Sequence, residues 1–418
     1  MSQPDPDAAE ALALVHRGWN HLRLQRPLAA WAAWQQALRI QPGDRAASEA
    51  LDRLAGSPWL PEAARAVYRF RGPETPERRQ RWDRELRAQA SADVAGAQRA
   101  FTRLAAADPD DAPAWYNLGL CHAWRGENLA ALGALHRFVV LTAAKDLDAA
   151  ANAWTLAEVL RHGAGAEPQA DDLSWSVAIA WDARGAEPRR WLDAWPHREI
   201  APQPDPLHPA PGPMRMFELL DLAACDPPRV AGTLVVTAGR LLFSTLWPGP
   251  GRPLHAWLEE NRELLGLEGR AIGEAEAHVL PLHLLDSQAL AFRLPEGLAP
   301  EQRRAKTTEA LTAYYQSEWM SFPRHGLSLE EPEADACEPP WRAGERAGAG
   351  HPVAKAKLEG VIRLREQLAQ RPHVAPWYEG FSFDRVRTAL HLPPRWSGDV
   401  EETSRDAEAD GPSLPGGD

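Results

Sequence analysis

Apolar side chains recur at intervals of three and four residues through the first 165 positions of the chain. This spacing places them on one face of an amphipathic helix. Pro42 and Pro109 interrupt the pattern, and proline cannot continue a helical hydrogen-bond ladder. The pattern therefore predicts a series of short helices, with residues 146–162 as the helix that closes the series.

The hydrophobic pattern changes after this point. In "LSWSVAIAW", residues 173–181, large apolar and small side chains alternate, which predicts a half-buried strand. Similar runs predict strands at 214–220, 232–237 and 240–246 and a strand pair at 277–285 and 288–295, while helical patterns occupy 254–266, 301–320, 352–370 and a short last helix in 381–392. Strands in hairpin order with helices inserted between them are typical of an antiparallel α+β domain.

These patterns divide the chain into parts of different character. At 418 residues the chain is too long for one ordinary core. We expect a multi-domain protein: an all-α array of helical hairpins over 1–165, an antiparallel α+β domain over 166–300, a helical segment over 301–396 packed on the α+β domain, and a disordered acidic tail over 397–418.

Charge and cysteine content narrow the classes of partner. The formal net charge of −12 argues against binding to a nucleic-acid backbone, which requires a surplus of Lys and Arg. Cys121, Cys225 and Cys337 are too far apart for a CxxC pair and odd in number, as suits a reducing compartment. The N-terminus has no basic leader, and no apolar run approaches 18 residues. We expect a cytoplasmic protein with neither a nucleic-acid nor a membrane partner.

Three stretches of the helical region share one frame of about 34 residues. Gly18 aligns with Gly119, and Trp34 aligns with Phe101 and Leu135. The matching small residues and prolines are Ala30, Ala97 and Ala131, and Pro42 and Pro109, while "WYNLGLCH" supplies Trp115, Leu118 and Gly119. This pattern resembles the tetratricopeptide repeat, W-x2-L-G-x2-Y followed by A-x3-F and P. Residues 45–75 match this repeat pattern only as a degenerate unit.

The resemblance implies stacked helical hairpins. The small residues would let the two helices of a hairpin approach closely, and the bulky ones would fill the gap to the next hairpin. A concave face built from the first helix of each unit would bind a peptide or protein segment. Carried over by position, the candidates for that face are Val15, Trp19, Trp82, Leu86, Tyr116, Leu120 and Trp124. They form either an aromatic groove for a partner chain or packing inside the protein.

Two further inferences come from this resemblance. Some members of the family clamp a C-terminal carboxylate with Lys, Arg and Asn, but Tyr116, Leu120 and Trp124 occupy the corresponding region here. Binding of that kind is therefore not expected. The C-terminal stretch is similar to the ends of uncharacterised bacterial tetratricopeptide proteins, which brings no known activity.

Candidate catalytic groups are few. Cys121 and His122 are adjacent on a helix and so point about 100° apart, which rules out a contact between nucleophile and base. His278 and His283 are five residues apart, near Asp286, and neither a strand nor a helix lets the two histidines chelate a metal readily. The glycine-rich stretch 344–355 lacks the features of a phosphate loop and is interpreted as a flexible linker, and the acidic cluster within 330–338 as a solvated loop.

The sequence thus favours a non-enzymatic interaction protein, or scaffold, without metal or cofactor, that binds a partner of unknown identity through the groove of its repeats. One alternative is an enzyme or ligand-binding module in the α+β domain, with His278, His283 and Asp286 as its first candidates. Another is that residues 301–392 occupy the groove themselves. The oligomeric state stays open.

Overall fold

The computed structural model describes residues 6–88, 93–180, 196–201, 214–221, 227–237, 240–245, 254–260, 262–263, 271–334 and 336–394. The chain divides into two compact units. Unit 1 comprises residues 1–171, 323–373 and 382–418, and unit 2 comprises residues 172–322 and 374–381. Cys225, Trp181 and Gly266, the loop 202–213 and the acidic tail 397–418 lie outside the described residues.

Unit 1 is built from helices. Its first nine are α1 (Pro6–Arg23), α2 (Pro27–Ile40), α3 (Arg45–Ala55), α4 (Glu62–Arg65), α5 (Pro76–Ala88), α6 (Val94–Ala107), α7 (Ala112–Arg125), α8 (Asn128–Thr142) and α9 (Leu147–Arg161). Asp93, Asp111 and Asp146 begin α6, α7 and α9 by accepting a hydrogen bond from a backbone N–H of the first turn. The helices predicted from the apolar spacing are therefore present.

Two hairpins share the same internal contact between a glycine and a bulky side chain. A Cβ atom on Gly18 of α1 would lie 2.2 Å from Nε1 of Trp34 on α2, and one on Gly119 of α7 would lie 3.0 Å from Leu135 on α8. Trp34 and Leu135 therefore fill the space inside their own hairpin. The sequence predicts that these residues fill the gap to the next hairpin, whereas the observed contacts lie within the hairpin, where the glycine leaves space on the facing helix.

The remaining repeat positions lie mostly in the interior. Phe101 packs edge-on against Trp82 with ring centroids 5.1 Å apart, and Trp115 donates its indole N–H to the Pro109 carbonyl at 3.0 Å. The small or apolar positions Ala30, Ala97, Ala131 and Leu118 are buried. Pro42 and Pro109 follow the last residues of α2 and α6. The shared frame thus identifies the residues that pack helices together.

The C-terminal helices of unit 1 differ from the sequence prediction. Helices are numbered in chain order across both units. The C-terminal helices of unit 1 are therefore α12 (Pro340–Gly348), α13 (Pro352–Ala369) and α15 (Asp384–Ala389). Gly360 of α13 approaches α9 so closely that a Cβ atom there would lie 2.7 Å from Cβ of Trp154. Helix α9 therefore does not close the array. Residues 323–373 belong to unit 1 because α13 packs on α9, whereas the sequence placed all of 301–396 on the α+β domain.

The stretch interpreted as a flexible linker is largely helical. Gly344 and Gly348 lie one turn apart on α12, where Cβ atoms would lie 2.9 Å from Leu390 and 3.0 Å from His391. The glycines serve close packing, so that interpretation was wrong. In the neighbouring acidic cluster, Glu330 and Glu331 are exposed as expected, but Glu338 is buried.

In the described residues of unit 2, six strands form an antiparallel sheet in the order β2-β3-β4-β5-β1-β6. Its strands are β1 (Leu173–Ala180), β2 (His197–Ile200), β3 (Arg215–Asp221), β4 (Arg229–Thr237), β5 (Arg240–Thr245) and β6 (Glu276–Val279). Val177, Ile179 and Phe243 pack with α10 (Leu254–Glu260) through Leu258. The alternation in β1 correctly predicted its core face.

Elsewhere in unit 2 the sequence prediction holds in part. The predicted helix over 301–320 is present as α11 (Pro300–Ala313), continued by a π-helical turn at Tyr314–Glu318 and by Trp319–Ser321, and α14 (Ala375–Tyr378) completes the unit. The strand pair predicted at 277–285 and 288–295 does not form. Strand β6 pairs with β1 instead, residues 282–284 form a 3-10 turn, and Phe292 makes an isolated bridge to Arg229. Among the described helices none has the length and apolarity needed to cross a membrane.

The contact inside the α1–α2 hairpin can be tested with Gly18→Ala. The new methyl group would collide with the Trp34 ring, which lies 2.2 Å away at Nε1. Overpacking should destabilise unit 1 by about 1–3 kcal/mol, in spite of the higher helix propensity of alanine. Urea unfolding followed by tryptophan fluorescence measures the effect. Gly72→Ala is the matched control, because nothing lies within 4 Å of its added Cβ atom. Equal stability of the two variants would contradict the packing argument.

Candidate functional site

The seven positions carried over from the repeat do not line an open groove. Leu120 is 0 % exposed, and Val15, Trp82, Tyr116 and Trp124 are each 8 % exposed or less. Trp19 and Leu86 are half-buried. Other parts of the chain therefore cover these positions.

The first four positions pack against other helices of unit 1. The Val15 carbonyl accepts a hydrogen bond from the Trp34 indole at 3.1 Å, and Trp19 lies edge-on to Trp34 with centroids 5.1 Å apart. Trp82 donates to the Asp111 carboxylate at 2.8 Å. Leu86 packs against the cluster that contains Trp82. None of the four has a geometry that requires a ligand.

Tyr116 and Trp124 of α7 instead face another stretch of unit 1. Residues 66–73 run without helix or strand pairing between α4 and α5, and we call them segment 66–73. Its Phe70 ring lies 5.2 Å from Trp124 and 5.0 Å from Phe101. Its Arg71 guanidinium lies over the Tyr116 ring at 4.7 Å. Cation–π and aromatic contacts of this kind favour ordered packing of the segment on α7.

Asn117, beside Tyr116, holds the backbone of this segment. Its Oδ1 accepts the Arg71 N–H at 2.8 Å, and its Nδ2 donates to the Arg71 carbonyl at 2.9 Å. Asn117 is 0 % exposed. A carboxamide that pairs with both the N–H and the C=O of one residue replaces the pairing that a neighbouring strand would supply. Helix α7 thus holds a stretch of its own chain through backbone contacts as well as side-chain contacts.

The exposure of segment 66–73 alternates along the chain. Val67 and Arg69 are exposed, while Tyr68 and Phe70 are turned inward. This is the period of an extended chain lying on a surface. The alternation was readable in the sequence as "VYRFR", but it lies in a stretch interpreted as a degenerate repeat unit. The repeat pattern did not identify Asn117, because that pattern is defined by small and large apolar positions.

The pair Cys121 and His122 does not form a catalytic contact. Cys121 is 0 % exposed and its burial raises the pKa of the thiol. His122 turns away to Glu127, with Nδ1 2.6 Å from Oε2, and also meets Gln98 at 2.9 Å. A helix separates adjacent side chains in direction, which explains why their partners differ.

The candidates of the α+β region differ in exposure. His278 is half-exposed and its Nε2 lies 2.8 Å from Oγ of Ser176, whereas His283 and Asp286 are buried. Within the described part of the chain, no group of three His, Cys, Asp or Glu side chains is arranged to hold a metal ion.

A second cluster in unit 1 contains buried ionisable groups that sequence reasoning did not identify. Nζ of Lys357, on α13, lies 2.9 Å from Nδ1 of His136, on α8, and 4.2 Å from the centre of the Trp154 ring, on α9. It also donates to the Ser328 carbonyl. Burial, with the charge of Arg161, lowers the pKa of Lys357 to about 7, and burial with Lys357 lowers the pKa of His136 to about 3.

Asp171 holds the adjoining loop. Its carboxylate accepts the backbone N–H groups of His325 at 2.6 Å and Gly326 at 3.0 Å, and Nδ1 of His325 lies 3.1 Å away. Nε of Arg161 lies 3.8 Å from the same carboxylate, whose side chain is 1 % exposed. Although burial favours its neutral form, the bond from His325 and the charge of Arg161 lower the pKa of Asp171.

No protein-family model, curated protein or solved structure matches the chain.

The hydrogen bonding between Asn117 and segment 66–73 can be tested with Asn117→Ala. The substitution removes both partners of the Arg71 backbone, at a cost of about 1–3 kcal/mol. The Arg71 amide should exchange its hydrogen roughly tenfold to a hundredfold faster, as measured by hydrogen–deuterium exchange. Asn20→Ala, at an exposed position of α1, is the control. Unchanged exchange at Arg71 would show that the pairing does not hold the segment.

The buried amine of Lys357 should make stability depend on pH. Because its folded pKa of about 7 lies below the ordinary 10.5, the unfolded chain binds an extra proton between these values. Stability therefore rises with pH across this window, by up to about 1.4 kcal/mol per pH unit. The difference in unfolding free energy between wild type and Lys357→Met should grow in favour of wild type from about pH 7 to about pH 9.

Urea unfolding at several pH values measures this difference. Lys145→Met removes an exposed lysine and serves as the control. A wild-type minus Lys357→Met difference that stays flat, like that of the control, would contradict a neutral buried amine.

Proposed function

We propose that the protein is an interaction protein that binds an extended peptide of a partner on the face of α7 formed by Tyr116, Asn117, Leu120 and Trp124. The observation that carries the proposal is the paired hydrogen bonding between Asn117 and the Arg71 backbone. Helix α7 already binds an extended chain in the manner of a receptor, and the bound chain is segment 66–73. A partner would take the place of this segment.

The chemistry of segment 66–73 defines the kind of peptide that fits. It presents aromatic side chains toward the protein at alternate positions, followed by an arginine over the Tyr116 and Phe138 rings at 4.7 and 5.0 Å. Backbone pairing with Asn117 is independent of side-chain identity, so selectivity would come from these aromatic and cationic contacts. We therefore propose an aromatic and basic peptide as the ligand.

The hairpin geometry supports assigning unit 1 to the tetratricopeptide class. Gly18 with Trp34 and Gly119 with Leu135 make equivalent contacts in two hairpins that occupy corresponding positions of the sequence frame. In this proposal the partner is a protein, not a nucleic acid or a membrane, and it is met in the cytoplasm. The free Cys121 and Cys337 fit a reducing compartment.

The proposal is tested with a labelled peptide of residues 66–73, AVYRFRGP. The double variant Phe70→Ala/Arg71→Ala weakens the resident segment and should bind the added peptide more tightly than wild type. Adding Asn117→Ala should reduce this affinity by roughly tenfold or more, since two hydrogen bonds are lost. Fluorescence anisotropy measures the binding.

Two controls make this result specific. Circular dichroism establishes that each variant is folded, and a peptide with alanine in place of Phe70 and Arg71 should bind weakly. If the folded double variant does not bind the native peptide, or binds it equally with and without Asn117, the α7 face is not a peptide site.

A further inference from the structure

Asn117 pairs with only one edge of segment 66–73. Its carboxamide takes the N–H and the C=O of Arg71, which point to the same side of an extended chain. Because these groups alternate in direction along such a chain, those of Tyr68 and Phe70 point away from Asn117. Among the described residues, none forms a hydrogen bond with the backbone N–H or C=O of Tyr68 or Phe70. The segment therefore has an open outer edge.

The positions along this outer edge are open to solvent. Val67 is 63 % exposed, Arg69 is exposed, and nothing lies within 4 Å of a Cβ atom added at Gly72. Buried backbone groups are nearly always paired, so unpaired groups in this setting are hydrated. An extended chain with hydrated backbone groups on one edge is a template for the addition of another strand.

The charge beside the outer edge selects the kind of strand. Arg65 and Arg69 are exposed, and neither has a carboxylate of the described part of the chain within ion-pairing distance. The chain as a whole carries a net charge of −12, so this uncompensated positive charge is a local feature. Antiparallel pairing of two copies of the chain would bring two rows of arginines together, and like charges opposite each other destabilise a strand pair.

We infer that the outer edge of segment 66–73 binds an extended, acidic strand of a protein partner. This strand pairs with the backbones of Tyr68 and Phe70 and places its carboxylates beside Arg65 and Arg69. The inference goes beyond the proposed function, because it needs the segment in place on α7, whereas the peptide proposed above replaces the segment. The two ligands also have opposite charge.

Antiparallel pairing defines the pattern of the partner strand. The residue opposite Arg69 has its side chain on the same, outward side and is acidic, while the residue opposite Val67 is apolar. A second acid two residues further on lies near Arg65. Threonine at the positions between them favours an extended chain. The hexapeptide TETVTE has this pattern, and TKTVTK has the same strand propensity with the charge reversed.

The first test uses wild type alone and so needs no variant to fold. Acetylated and amidated TETVTE is added, and hydrogen–deuterium exchange is resolved at single amides. The amides of Tyr68 and Phe70 should exchange more slowly with the peptide, and that of Arg71, already bonded to Asn117, should change less. TKTVTK should give no protection. If millimolar TETVTE does not protect Tyr68 and Phe70, the inference is wrong, and the arginines serve to keep the edge from pairing.

The second test reverses the charge of the edge. In Arg69→Glu the affinity for labelled TETVTE, measured by fluorescence anisotropy, should fall roughly tenfold, because an attraction becomes a repulsion. TKTVTK should then bind the variant more tightly than TETVTE does. Arg53→Glu, at an exposed position of α3, is the matched control and should bind both peptides as wild type does. A preference for TETVTE that survives in Arg69→Glu, shown to be folded by circular dichroism, would contradict the inference.

The third test separates backbone pairing from charge. An N-methyl group on the second threonine of TETVTE keeps every side chain but removes the N–H that faces Tyr68. Affinity for wild type should fall about fivefold, as expected for one lost hydrogen bond. Equal affinity would show that the peptide does not add as a strand. Binding of AVYRFRGP to Phe70→Ala/Arg71→Ala is measured separately, so failure of either proposal is recognised without the other.

Discussion

The buried carboxylate of Asp171 is the constraint on which the C-terminal part of unit 1 depends. A charge with a side chain 1 % exposed is stable only if its lone pairs are satisfied, and here they take two backbone N–H groups and an imidazole. The loop is thereby fixed where Trp154 reaches the Gly326 carbonyl at 2.8 Å. Lys357 then binds the Ser328 carbonyl, so α8, α9 and α13 meet at this loop.

Local features of the fold were predictable because they depend on neighbours in sequence. The spacing of Gly18 and Trp34 reflects one hairpin, and the alternation in β1 reflects one sheet face. The packing of α13 on α9 was not predictable, because Gly360 meets Trp154 across some two hundred residues and a glycine gives no sign of its partner. Strand β2 was missed because its four residues, His197–Ile200, are too few and too polar to form a pattern.

The candidate sites show the same contrast between features that depend on neighbours in sequence and contacts that form only in the folded chain. Tyr116 and Trp124 were identified from a repeat frame, but the frame could not say that the ligand of α7 is part of the chain. Asp171 and His325 have no motif spacing, and only folding brings them together.

In the proposed function the face of α7 binds a partner even though segment 66–73 covers it, because the affinity of the segment for α7 is limited. A segment tethered by short connections competes at an effective concentration of the order of millimolar, so a partner must bind substantially more tightly than an isolated copy of the segment. The resident contacts include two backbone hydrogen bonds, each contributing about 1 kcal/mol, together with aromatic contacts of similar size. A longer partner could repeat these and add others along α7. The resident segment therefore sets a threshold of affinity, and weak aromatic peptides would be excluded while a matched partner would not.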